Sequence, residues 1–182
     1  MDPAIGMIEL NSIAYGILVT DAIAKKAPVR IHRSMTTCPG KYLVLFSGEV
    51  AAVEESFHKG GEVGAETVVD ELFLPHVHPS VAPALDGVSP ISSFDSLGVF
   101  ETFSLASAII AADKAVKATE VQLIEIRSPA GLGGKSFFVI TGNLEDVQAA
   151  MEEATASIKG SGMLVRQVVI PNPHEDLNNF LF

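Results

Sequence analysis

Cys38 is the only thiol in a chain of 182 residues. It excludes an intrachain disulfide, and it supplies one of the four ligands that a zinc or iron–sulfur site takes. Any metal centre built on it therefore requires several copies of the chain related by symmetry. Of the histidines His32, His58, His76, His78 and His174, only His76-x-His78 has a ligand-like spacing. With no cysteine or carboxylate cluster beside it, this pair reads as an ordinary proline-flanked loop. Residues 129–136, Pro-Ala-Gly-Leu-Gly-Gly-Lys-Ser, nearly spell a phosphate-binding loop. The first required glycine is Pro129, however, and Phe137-Phe138-Val139-Ile140 continues as a strand where a phosphate cradle needs a helix N-terminus. No Ser-His-Asp or Cys-His pairing follows from spacing. Glu9 and Glu101 recur at strand ends, where a structural hydrogen bond is expected, so no catalytic residue is assigned and the chain is not expected to be an enzyme.

These residues sit in a chain that is written twice. Ile5-Gly6-Met7-Ile8-Glu9 lies on Leu97-Gly98-Val99-Phe100-Glu101, and the same offset carries Ser12 to Ser104, Asp21 to Asp113 and Lys25 to Lys117. After two inserted residues, Gly40-Lys41 lies on Gly134-Lys135, and after two more, Leu74-Pro75 lies on Ile170-Pro171 and His78 on His174. The insertions fall at loops and the glycines keep register, as expected of a duplicated domain. The boundaries read as a first domain over 1–82, a linker over 83–96 rich in Ser, Asp, Gly and Pro and expected to be exposed, and a second domain over 97–182. A half of this size has a marginal core alone, so packing against other domains or chains is favoured.

Each half predicts the same elements. The run at 4–10 suits a buried strand, with Asn11 or Ser12 as helix cap. The stripe Ile13, Ile17, Thr20, Ala24 and its counterpart Leu105, Ile109, Ala112, Val116 predict a helix. Strands are predicted from Val29 and Val121 and over 42–46 and 137–140, then helices over 50–59 and 144–159. Last strands span 68–74 and 163–170, stopped by Pro75 and Pro171. The order β-α-β-β-α-β is the ferredoxin-like arrangement, an α+β class with helices on one face of an antiparallel sheet.

The formal charge is −10, from 12 basic and 22 acidic side chains, which leaves no basic field for a phosphate backbone and argues against nucleic acid. The acidic residues between Glu49 and Glu71 read as a solvated helix face. No apolar run is long enough to span a membrane and no signal pattern opens the chain, so a cytosolic protein is expected. Lys25 and Lys117 end the first helix of each half, where a positive charge complements the helix dipole.

The opening Gly-x-Ile/Val-Glu strand, the Asp-x-x-x-Lys at the end of the first helix, the Gly-Lys loop and Pro171-Asn172-Pro173-His174 together resemble the shell proteins of bacterial microcompartments, over nearly the whole chain and twice. With Cys38-Pro39-Gly40-Lys41 between strands two and three, the chain is similar to the tandem-domain branch of that family found in propanediol-utilisation compartments. The resemblance implies a homotrimer with six domains, a pseudo-hexameric tile that packs with other shell proteins in a lattice. It implies pore loops at Thr37, Pro39, Gly40 and Lys41 and at Ala130, Gly131, Leu132, Gly133 and Gly134, the second withdrawn from the axis, and tile edges at Lys25 and Lys117. It also implies that three copies of Cys38 hold a [4Fe-4S] cluster on the threefold axis, its fourth iron bound by water or a small ligand. That cluster would relay electrons across the shell or be delivered to an encapsulated redox enzyme. Two features depart from the family: Asn172 stands where single-domain relatives commonly have Arg, and the first half reads Pro75-His76-Val77-His78. Phe180-Leu181-Phe182 has no counterpart. A cluster-free gated metabolite pore, and a discrete ferredoxin-like regulator binding a small molecule, stay open at this point.

Overall fold

The computed structural model describes residues 3–91 and 95–177. Every residue of β1, Ala4–Leu10, is buried, and a strand without an exposed face must be central. It pairs antiparallel with β3 (Lys41–Gly48) on one side and β4 (Val68–Leu74) on the other. With β2 (Arg30–Thr37) outside β3, the sheet order is β2-β3-β1-β4. The second half repeats it as β6-β7-β5-β8, with β5 Ser96–Thr102, β6 Gln122–Arg127, β7 Ser136–Gly142 and β8 Leu164–Pro171. Phe100 of β5 faces Phe138 of β7, their rings stacked 5.1 Å apart. The topology is the expected ferredoxin-like one. Pro171 is the last residue of β8, paired with Ser96, instead of lying beyond the strand.

Two helices complete each half: α1 (Ile13–Lys26) with α2 (Val50–Gly64), then α4 (Leu105–Ala118) with α5 (Leu144–Ser157). Ser12 and Ser104 are the caps, each hydroxyl accepting the backbone N–H three residues on, from Tyr15 at 3.3 Å and Ser107 at 3.1 Å. The core-facing stripe of α1 corrects the sequence expectation. Gly16, Val19 and Ile23 are buried, whereas Ile13 and Ile17 are 44% and 60% exposed. The inward residues pack with Ile8, Leu10, Val44, Phe46 and Val53, each full burial of such a side chain contributing about 1.5–3 kcal/mol. Gly16 is required by packing: a Cβ there would lie 2.2 Å from Cγ of Tyr42.

Residues 83–96 are also corrected. The segment begins inside a short helix, α3 (Val81–Asp86), whose Val81, Ala84 and Leu85 are buried. Pro83 permits this because the first turn of a helix has no intrahelical use for its N–H groups. Two compact units emerge, one holding the chain to Val77 plus Pro129–Gly134, the other starting at His78 and resuming at Lys135. Although it follows β4 in sequence, α3 thus belongs to the second unit, where it packs on β6 and α4. Residues 92–94 and Phe180-Leu181-Phe182 lie outside the described residues.

Candidate functional site

The β2–β3 connection carries Cys38. Thr37 closes β2 and Lys41 opens β3 directly opposite it, so Cys38-Pro39-Gly40 must turn in three residues. The backbone N–H of Gly40 donates to the Thr37 carbonyl at 3.0 Å and closes that turn. Cys38 is half-buried with a free thiol. Beside it the Thr37 hydroxyl is buried without a hydrogen-bond partner. The β6–β7 connection is longer, closed by Leu132 N–H donating to the Pro129 carbonyl at 3.1 Å, with Ala130, Gly131 and Gly133 exposed.

The two connections meet. Gly134 is buried at a φ of +91°, and a Cβ on it would stand 3.0 Å from the Cys38 carbonyl oxygen and 2.9 Å from Cδ of Pro39. Only glycine permits both that conformation and that approach. The second loop thus comes up to the first at its last glycine. It lies against Cys38 and Pro39 at its C-terminal end, while its exposed residues Ala130, Gly131 and Gly133 precede the contact.

The lysine after each loop has a partner the spacing did not reveal. Lys135 Nζ donates to Glu101 at 2.9 Å, and Lys41 Nζ stands 3.9 Å from the fully buried Glu9. Both glutamates lie on the central strand next to the one the lysine opens, so each loop is anchored to its sheet by the same pair. The signal was present in the sequence, since glutamate and lysine recur together in both halves. After Lys135 the chain runs straight into β7, in keeping with the rejection of a phosphate loop.

Lys25 and Lys117 lie on the helices, apart from the loops, and their surroundings differ. Lys25 is 75% exposed and pairs at 2.7 Å with Asp21, itself 55% exposed. Lys117 pairs at 2.5 Å with Asp113, which is 1% exposed. The other oxygen of Asp113 accepts the backbone N–H of His78 at 2.8 Å, and the His78 ring contacts the Ser80 hydroxyl. This second acceptor role of the repeated aspartate was not legible from its spacing with lysine. Near the C-terminus Asn172, the departure from the family pattern, takes a φ of +47°, a conformation asparagine tolerates better than most residues.

A family model described as BMC domain matches residues 4–77 and again 96–173. The bacterial microcompartment shell protein PduT of Citrobacter freundii is 41% identical over 177 residues, covering 97% of this chain and 96% of that protein. The shell protein EutM of Salmonella typhimurium is 35% identical over 83 residues, 46% of this chain and 84% of its own length. Among solved structures, a microcompartment protein from Desulfitobacterium hafniense superposes with a TM-score of 0.85 at 44% identity, covering 98% of this chain and 99% of that one. The fused permuted hexameric shell protein MSM0275 from the RMM microcompartment gives a TM-score of 0.66 at 19% identity over 87% and 82% of the two chains, a likeness of fold alone.

Proposed function

Because the chain belongs to the bacterial microcompartment shell-protein family, as a structural component carrying the BMC domain twice, we propose that three copies close into a ring of six domains that tiles the shell through its outer edges. The contact of Gly134 with Cys38 and Pro39 carries this reading. If loops of successive repeats touch within one chain, then in a closed ring of alternating repeats all six loops gather round the axis. The edges would present the exposed Lys25, whose long apolar stem can pack on a neighbouring tile while its ammonium seeks a carbonyl. Lys117 takes the same place in the second repeat.

On this arrangement three Cys38 thiolates converge and hold a [4Fe-4S] cluster. The residues fit a shared site and not a single-chain one. Among the described residues no three His, Cys, Asp or Glu side chains of one chain gather to hold a metal, and Cys38 brings one soft donor. Such a cluster, when bound, supplies one-electron redox chemistry, either to relay charge across the shell or as cargo for an encapsulated redox enzyme. The chain's own part is to present the thiol from a short turn and to cover its backbone with Gly134. Protein purified without oxygen should be brown and contain iron, and Cys38→Ser should lose both while keeping its mass in solution. Iron-free wild type under the same conditions would favour the second reading, a gated metabolite pore, for which the exposed Ala130, Gly131 and Gly133 speak.

A further inference from the structure

The two repeats divide their β-hairpin connections unequally. The first spans 38–40 and carries the thiol, and the second spans 128–135 and carries none. Within the second, Gly131, Gly133 and Gly134 hold φ values of +79°, +63° and +91°, a backbone that strains any other residue. Their surroundings separate them. A Cβ on Gly131 or Gly133 would meet nothing within 4 Å, whereas on Gly134 it would press on the Cys38 carbonyl and Pro39. The first two glycines therefore serve the course of the loop, and the third serves its seat on the Cys38 turn. Residues Pro129–Gly134 accordingly cluster with the first repeat's unit, although the strands they join belong to the second. The turn beneath is short, closed by Gly40 N–H on the Thr37 carbonyl, so the Cys38 carbonyl cannot shift without its Cα and thiol. At so close a contact the seat is either kept or opened.

We infer that Gly134 is a positioning residue for Cys38: the second repeat's loop fixes the direction in which the first repeat presents its sulfur, and iron held there keeps the loop seated. This rests on the reading of Cys38 as an iron ligand and adds what the cysteine-free repeat contributes to the site. A turn restrained beforehand loses less freedom when its thiol takes a ligand. Linkage makes the effect reciprocal, since whatever factor seating adds to binding, binding adds to seating.

The test sets Gly134→Ala against Gly131→Ala and Gly133→Ala, which carry similar backbone strain without the contact. Prepared without oxygen, Gly134→Ala should hold iron about tenfold more weakly against a chelator. In the iron-free proteins it should also speed alkylation of Cys38 by iodoacetamide about threefold or more, and the other two variants should match the wild type in both assays. Iron loading of the wild type should slow backbone hydrogen exchange over 131–134, a measurement that stands even where Gly134→Ala does not fold. Three alanine variants that behave alike, or exchange that ignores iron, would overturn the inference. If the wild type binds no iron while Gly134→Ala alone speeds alkylation, the cluster reading fails and the positioning role stands.

Discussion

Glu71 on β4 has its carboxyl pushed above the ordinary carboxylate range, first by burial and then by the charge of Asp70 beside it, with His58 on α2 pulling the other way. A raised folded-state value means that ionising Glu71 costs more in the folded chain than in the unfolded one. Its contribution to stability is therefore fully present below the unfolded value near 4.5 and is lost as pH rises through the raised one. The second repeat has Gln167 at the matching position. Glu71→Gln should match the wild type in urea unfolding at pH 4 and exceed it at pH 7, by no more than about 0.5 kcal/mol because solvent screens so open a site. A variant less stable than wild type at pH 7 would show that the carboxylate is doing something favourable there.

At the scale of elements, the same framework is built with exchanged volumes. Gly16 lets α1 lie against the Tyr42 ring, while the second repeat places Ala108 and Ser136 at those positions. Gly16→Ala should cost about 1–3 kcal/mol by overpacking, and combining it with Tyr42→Ser should cost less than the two single changes added together. The helix ends diverge more. Lys117→Asp sets a second carboxylate against the buried Asp113 and should destabilise by about 2 kcal/mol or more, whereas Lys25→Asp, in an open pair, should change stability by no more than about 0.5 kcal/mol. Urea melts of the two variants separate these outcomes, and equal costs would mean that the two aspartates are held alike in solution.

For the whole molecule, that difference decides which lysine is a fair probe of tiling. Changing both to aspartate would confound lattice loss with unfolding, so Lys25→Asp alone is the test. It should keep the wild-type mass by light scattering and fail to form the extended sheets expected of concentrated wild type by electron microscopy. Sheets that persist would reduce Lys25 to a helix end paired with Asp21. Membership of the shell family speaks against the alternative of a discrete small-molecule regulator.

The duplication and the order of elements were legible because they are local. Insertions fall between glycines that must stay in register, and apolar runs without polar interruption mark central strands. Which side of α1 turns inward was not legible, since Gly16-Val19-Ile23 and Ile13-Ile17 are both apolar stripes at helical spacing and periodicity weighs them equally. Only Tyr42, Phe46 and Val53, brought in by the sheet and α2, select the first stripe. The helix across Pro83, the second hydrogen bond of Asp113 and the approach of Gly134 to Cys38 escaped the sequence for a related reason. Each joins residues far apart in the chain, and their partners are set by how the sheet and helices pack, a condition that spacing along one strand or helix does not carry.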